Sequence, residues 1–173
     1  MRDQMPLSIH RLTRMGLLVA AGLVLYAVEM RLPGPSSLPC VRLGLANIIT
    51  VYAAFTLSFR EASMVILSRI FLSAFIGGGP MAFCYSLAGG MSCFGGMLVM
   101  KEVSHRAPLW LAGMAGTLLH SAGQVVVAMV FSGTAGMAAY FPLLAVSGGV
   151  SGIVTGLSAE YLISRSAAAG YMW

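Results

Sequence analysis

Six long runs of almost uncharged residues constrain the fold of this chain more than any other feature of its sequence. Apolar residues make up 58% of the 173 residues, and charged residues make up only 9%. Soluble domains usually carry about 25% charged residues. A soluble interior cannot bury so much apolar surface, whereas the acyl chains of a bilayer can cover it. The chain is therefore predicted to be an all-α integral membrane bundle, with a single transmembrane domain over residues 1–173.

The lengths of the runs predict about six transmembrane helices, since a bilayer core needs about 20 helical residues per span. The runs cover residues 15–30, 43–59, 62–76, 81–100, 109–131 and 139–163. Only Arg60 and Glu61 separate the second run from the third, and one continuous helix there would be longer than a bilayer. A tight hairpin is therefore expected at this point. Three prolines predict a non-helical connector between the first two runs: Pro33, Pro35 and Pro39.

The distribution of positive charge predicts the orientation of the bundle. With six spans, one side would hold both termini and seven of the ten positive charges: Arg2, Arg11, Arg14, Arg60, Lys101, Arg106 and Arg165. The other side would hold only Arg31 and Arg42, while Arg69 falls within the third run. Because positively charged loops stay in the cytoplasm, we expect a multi-pass cell-membrane protein with both termini cytoplasmic. The net charge of +5 reflects this topology and does not indicate a nucleic-acid partner.

Polar residues in or beside the apolar runs form a candidate ligand-binding site: Glu29, Arg42, Asn47, Arg69, His120 and Gln124. Such groups are costly in a membrane unless they meet a partner or water. His120 and Gln124 are four residues apart and share one helix face. Two interpretations remain open: an ion pair of Glu29 with Arg42 or Arg69, or a pocket that a polar ligand enters from outside. Two arginines against one carboxylate leave a surplus positive charge, which favours an anionic or acceptor-rich ligand.

The scarcity of acidic residues argues against catalysis. Asp3 is the only aspartate, so the chain has no carboxylate cluster to hold magnesium for diphosphate chemistry. Lys101 is the only lysine and follows no glycine-rich loop, so a P-loop is absent. The cysteines lack metal-binding spacing and are interpreted as packing residues: Cys40, Cys84 and Cys93. We therefore expect neither an enzyme nor a metal or cofactor, and any active transport would depend on a partner for energy.

Small residues recur at helical spacing in two of the runs. Gly148, Gly152 and Gly156 form one ridge on the last run, and Gly16 with Ala20 repeats the pattern on the first. Such ridges allow helix backbones to approach closely in membranes. They indicate either packing within the bundle or docking of another membrane subunit.

Five segments carry a resemblance to a known family: RLGLANIIT at 42–50, FREA at 59–62, YSLAGG at 85–90, AGTLLHSAGQ at 115–124 and YFPLLAVSGGVSG at 140–152. The chain resembles the heptaprenyl diphosphate synthase component I family, also called the Gx transporter family. The fold of that family is similar to the substrate-binding S components of energy-coupling factor vitamin transporters. The resemblance implies six helices, cytoplasmic termini, a ligand site in the outer half, and docking to an energising module through small-residue helix faces. Of the alanine pattern on the first helix of S components, only Gly16 with Ala20 is present.

Two functions follow from these observations. The preferred one is a membrane solute-binding or transport subunit that takes an isoprenoid, quinone or vitamin-like ligand from the outer side and is energised by partner proteins. The alternative is a non-catalytic membrane accessory subunit of a prenyl diphosphate synthase. The expected partners are the lipid bilayer, a small-molecule ligand, and either an energising membrane module or a soluble prenyl synthase.

Overall fold

Six α-helices and two shorter helical segments make up the computed structural model, which describes residues 9–31, 44–103 and 108–168. The helices are α1 (Ile9–Arg31), α2 (Asn47–Thr56), α3 (Phe59–Ser73), α4 (Gly79–Val103), α5 (Leu109–Ser132) and α6 (Phe141–Ala168). A π-helical turn, Ala74–Gly78, continues α3, and a 3-10 helix, Ala135–Tyr140, precedes α6. These ranges contain no strand, and the all-α prediction is confirmed. The connector prolines and Cys40 lie outside the described residues, as do three arginines of the charge argument: Arg2, Arg42 and Arg106.

Four of the helical segments are long and apolar enough to cross a membrane: Ile9–Arg31, Gly79–Glu102, Leu109–Ser132 and Ala135–Ala168. Large apolar side chains are exposed on their outer faces, such as Leu17 at 70% and Val130 at 74%. Lipid is the environment that such a surface requires. The prediction of six helices is confirmed, but the expectation that all six can cross a bilayer is wrong by this measure. The 10 residues of α2 span about 15 Å, half of a bilayer core of about 30 Å.

Backbone breaks at both ends explain why α2 is short. Gly44 precedes it with a φ of +66°, a left-handed conformation that glycine adopts without steric cost. At the other end, Leu57 and Ser58 are extended. The Ser58 backbone N–H then donates to Glu61 Oε2 at 3.1 Å, part of a capping box that begins α3. The predicted hairpin is therefore present, and its break lies just before Arg60 and Glu61 rather than at them.

The short helix α2 is the centre of the bundle, because it contacts each of the other five helices. Val51 and Ala53 of α2 are fully buried, and they pack in a core that includes Ile66 of α3 and Met97 of α4. This core fills the half of the bundle at the carboxyl end of α2. There, Lys101 Nζ donates to the Ala54 carbonyl at 3.0 Å, and so satisfies one of the carbonyl groups that a helix end leaves unpaired.

Positive side chains gather at this same end of the bundle. Arg11 of α1 forms an ion pair with Glu61 of α3 at 3.7 Å, and Arg14 Nη2 donates to the Tyr52 hydroxyl of α2 at 3.5 Å. These contacts bring the start of α1 and the start of α3 to the carboxyl end of α2, where Lys101 also lies. We call this end, with Arg11, Arg14, Arg60 and Lys101, the basic end.

The glycine ridge of α6 packs against α5. A Cβ atom added at Gly156 would lie 2.5 Å from Trp110 Cα, and one at Gly152 would contact Thr117 Oγ1 and backbone atoms of α5. Thr117 Oγ1 also donates to the Gly148 carbonyl at 2.7 Å, a hydrogen bond between the two helices. The ridge is therefore used for packing within the bundle, which was one of its two interpretations.

Candidate ligand-binding cavity

A cavity of about 550 Å³ lies in the half of the bundle opposite the basic end. It is lined by the end of α1, the start of α2, the end of α3, the start of α4, the middle of α5 and the start of α6. Small-molecule sites in proteins usually have volumes of about 300–1,000 Å³. Five of the six predicted site residues line this cavity: Glu29, Asn47, Arg69, His120 and Gln124. The sixth, Arg42, lies outside the described residues, two positions before Gly44 of the cavity wall.

Arg69 is the buried cation of the cavity wall. It projects from α3, is only 8% exposed, and its Nε atom has no hydrogen-bond partner. Its aliphatic stem lies against Gly22 of α1, where an added Cβ atom would be 2.8 Å from Arg69 Cδ. An unpartnered buried donor costs about 1–3 kcal/mol. A water molecule or a ligand group in the cavity would remove that cost.

Glu29 is held by the backbone that leads into α2. The Gly44 backbone N–H donates to Glu29 Oε1 at 2.5 Å, and the left-handed φ of Gly44 belongs to the turn that begins α2. Among the described residues, no ion pair joins Glu29 to Arg69. The carboxylate also lies near the positive end of the α2 dipole, which favours a negative charge there. Glu29 therefore lines the cavity and at the same time holds the turn that leads into α2, and the ion pair with Arg69 is not formed.

His120 and Gln124 of α5 share one helix face, as their spacing predicts, and that face is part of the cavity wall. The His120 ring lies against Gly89 of α4, where an added Cβ atom would be 2.8 Å from the ring. His120 Nδ1 is buried and has no hydrogen-bond partner. Asn47 is 6% exposed and begins α2. The cavity therefore collects polar groups from helices that are far apart in sequence.

Buried polar atoms without a partner concentrate at this cavity. In the described part of the chain there are three such side-chain atoms: Thr50 Oγ1, Arg69 Nε and His120 Nδ1. Two of the three belong to residues of the cavity wall, and Thr50 does not. Buried polar groups in native proteins are nearly always hydrogen-bonded. Arg69 Nε and His120 Nδ1 are therefore buried polar atoms of the cavity wall that the described part of the chain leaves unpaired.

Several residues of the cavity wall were not predicted from the sequence. Tyr85 of α4 and Tyr140 of the 3-10 helix place aromatic rings at the cavity, and Ser121 and Ser147 add hydroxyl groups. Both serines donate to the Leu144 carbonyl, at 3.4 and 3.2 Å, so their protons are already used. The motif that carries Tyr85 is visible in the sequence, but serines and tyrosines in membrane helices do not by themselves indicate a ligand.

No group of three histidine, cysteine, aspartate or glutamate side chains that could hold a metal ion occurs in the described ranges. Cys93 is fully buried in the core, and Cys84 is partly buried. Both cysteines are unpaired.

Comparison with known proteins gives one result. The sequence profile of the family described as heptaprenyl diphosphate synthase component I matches residues 18–162. Searches of curated proteins and of solved structures found no match. The match extends from the middle of α1 into the last turns of α6, and so includes every described residue of the cavity wall. The chain therefore belongs to the heptaprenyl diphosphate synthase component I family.

Proposed function

We propose that this protein is a membrane solute-binding or transport subunit whose ligand binds in the cavity. The observation that carries the proposal is the pair of buried, unpartnered nitrogen atoms of Arg69 and His120 in the wall of a cavity of about 550 Å³. Arginine inside a membrane bundle is costly and usually meets a partner or water. A bound polar molecule would supply the missing partners.

The apolar part of the wall supports a ligand of mixed character. Val125, Ala128 and Met137 line the cavity together with the polar residues and three tyrosines, of which Tyr26 is the third. An isoprenoid, quinone or vitamin-like molecule has both the apolar surface and the polar groups that this lining would accommodate.

The ligand would enter from the outer side of the membrane. Positive residues mark the cytoplasmic side of membrane proteins, so the basic end, with Arg11 and Lys101, would face the cytoplasm. The cavity lies at the opposite end of the bundle, which would then be in the outer half of the membrane. Both termini would then be cytoplasmic, because α1 starts and α6 ends on the side of the basic end.

Energy for transport would come from a partner in the membrane. Gly16 and Ala20 of α1 are exposed, and a Cβ atom added at Gly16 would meet no atom within 4 Å. This face of α1, unlike the ridge of α6, is available to a second membrane protein. The resemblance to S components supports an energising module as that partner.

Native mass spectrometry of the detergent-solubilised protein tests the proposal. The wild type should retain a small molecule, and Ala128→Trp should reduce that retention because the indole would fill part of the cavity. Val130→Trp is the matched control, since Val130 lies on the same helix and is 74% exposed. Both variants should elute and unfold like the wild type. Equal retention by the two variants, or no retained molecule in the wild type, would contradict a ligand site here.

The family description favours a second candidate, a non-catalytic membrane subunit of a prenyl diphosphate synthase. In that case the soluble enzyme would bind at Lys101 of the basic end and at the segment up to Arg106 that the sequence predicts to be cytoplasmic. Two results together would favour this candidate over the first. The protein should co-purify with a prenyl synthase, and this co-purification should be lost when Lys101 and Arg106 are changed to glutamate. The wild type should also retain no small molecule in the mass-spectrometry assay.

A further inference from the structure

We infer that the ligand of the proposed site carries an anionic group, either a carboxylate or a phosphate, which binds the guanidinium of Arg69. Gly22 of α1 is the positioning residue that lets the Arg69 side chain reach the cavity. The inference rests on the proposed function, because it names the ligand class of the same cavity.

The charge of Arg69 is not balanced by an ion pair within the described cavity wall. Glu29 is the acidic residue of the described cavity wall, and its Oε1 already accepts the Gly44 backbone N–H. No ion pair joins the two side chains in the described ranges. Arg69 is therefore a cation with an unpartnered Nε; the residue is 8% exposed and lines the cavity.

The donor geometry of the Arg69 side chain suits an anionic group. A guanidinium is planar and offers its N–H groups as a rigid fork, which matches the two oxygens of a carboxylate or a phosphate. It has no acceptor atom, so it cannot pair with a ligand group that only donates. Carboxylate and phosphate share this chemistry, and the experiment has one arm for each.

The Arg69 side chain passes α1 at a glycine. The stem crosses α1 at Gly22, where a Cβ atom would lie 2.8 Å from Cδ and 3.4 Å from Cγ of Arg69. Cδ lies next to the guanidinium, so a methyl group at position 22 would displace the charged group itself. Ile49 of α2 stands 3.8 Å from the same point and limits movement to that side. The glycine therefore fixes where the charge stands in the cavity.

Titration calorimetry with the full chain in nanodiscs tests the ligand class. The probes form two pairs of similar shape that differ in charge: benzoate with benzamide, and phenyl phosphate with phenyl carbamate. The wild type should bind the anion of at least one pair about tenfold or more tightly than its neutral counterpart. The pair that shows the preference identifies carboxylate or phosphate. Arg69→Gln should abolish the preference, and Arg69→Lys should keep part of it because the charge remains.

The positioning role is tested with Gly22→Ala against Gly16→Ala. Both changes place alanine in α1 and raise its helix propensity equally, but an added Cβ atom meets Arg69 only at position 22. Gly22→Ala should lose about tenfold in affinity for the preferred anion and little for its neutral counterpart. In these titrations, which contain no membrane partner, Gly16→Ala should bind both probes of the pair as the wild type does.

Several outcomes would overturn the inference and leave the proposed function standing. One is equal binding of the neutral and anionic members of both pairs, and another is an unchanged preference in Arg69→Gln. A third is that the molecule retained by the wild type and by Val130→Trp, but lost from Ala128→Trp, proves from its mass to be an uncharged compound. If neither the probes nor any retained molecule bound to the wild type, the proposed function itself would fail.

Discussion

Glu29 can stabilise the bundle through its charge or as a hydrogen-bond acceptor, and these two roles predict different stabilities for the same substitutions. Its described contact is with the backbone N–H of Gly44, at 2.5 Å, and an amide oxygen could accept the same hydrogen bond. Glu29→Gln should therefore change the melting temperature little. Glu29→Ala leaves the N–H of Gly44 unpaired and should cost about 1–3 kcal/mol, or several degrees in melting temperature. An ion pair with an arginine would instead make Gln as harmful as Ala in a fluorescence-monitored unfolding experiment.

The sequence predicted which residues would share a site better than it predicted their partners. Spacing alone placed His120 and Gln124 on one face, and this expectation is confirmed. Arg69, which falls within the third run, is buried. The contact between Glu29 and Gly44 was not predictable, because it depends on a left-handed turn in a loop rather than on helical periodicity. Helical periodicity predicts which side chains share a helix face, but it does not predict which loop backbone will contact that face.

The packing of α6 on α5 depends on glycine at a point where the two backbones approach closely. A Cβ atom added at Gly152 would lie 2.7 Å from Met114 Cα, whereas one at Gly149 would meet nothing within 4 Å. Gly152→Leu should therefore lower the stability of the bundle by about 1–3 kcal/mol or more. Gly149→Leu is the control on the same helix and should leave the melting temperature unchanged or raised. Equal melting temperatures for the two variants would mean that this ridge does not hold α5 and α6 together.

The short helix α2 shows where apolar run length misleads. The second run is apolar over 17 residues, 43–59, but the helix within it is Asn47–Thr56. Apolar residues are required there because α2 is enclosed by the other five helices, and not because it crosses lipid alone. Hydropathy measures the need to avoid water and does not separate burial in protein from burial in lipid. The longer helices α4, α5 and α6 were located well, because each is both apolar and long enough to span a bilayer.

The bundle as a whole has one basic end and one end with a cavity, and this polarity predicts a testable topology. Ser58, between α2 and α3, lies at the basic end, and Thr134, between α5 and α6, lies at the opposite end. Both residues are exposed, which suits them to single-cysteine labelling. Cys40 and Cys84 would be replaced by serine, while Cys93 can remain because it is fully buried.

In intact cells, a membrane-impermeant maleimide should react with Thr134→Cys and not with Ser58→Cys, because positively charged ends stay in the cytoplasm. After permeabilisation, Ser58→Cys should react as well. The labelling result also tests how the chain crosses the membrane. The chain leaves the basic end along α1 and must come back to that end before α3 begins, although α2 alone is too short to span a bilayer. The ion pair between Arg11 and Glu61 requires that return. Labelling of Ser58→Cys from outside intact cells would invert the orientation and place the cavity on the cytoplasmic side, where it could not take up a ligand from outside.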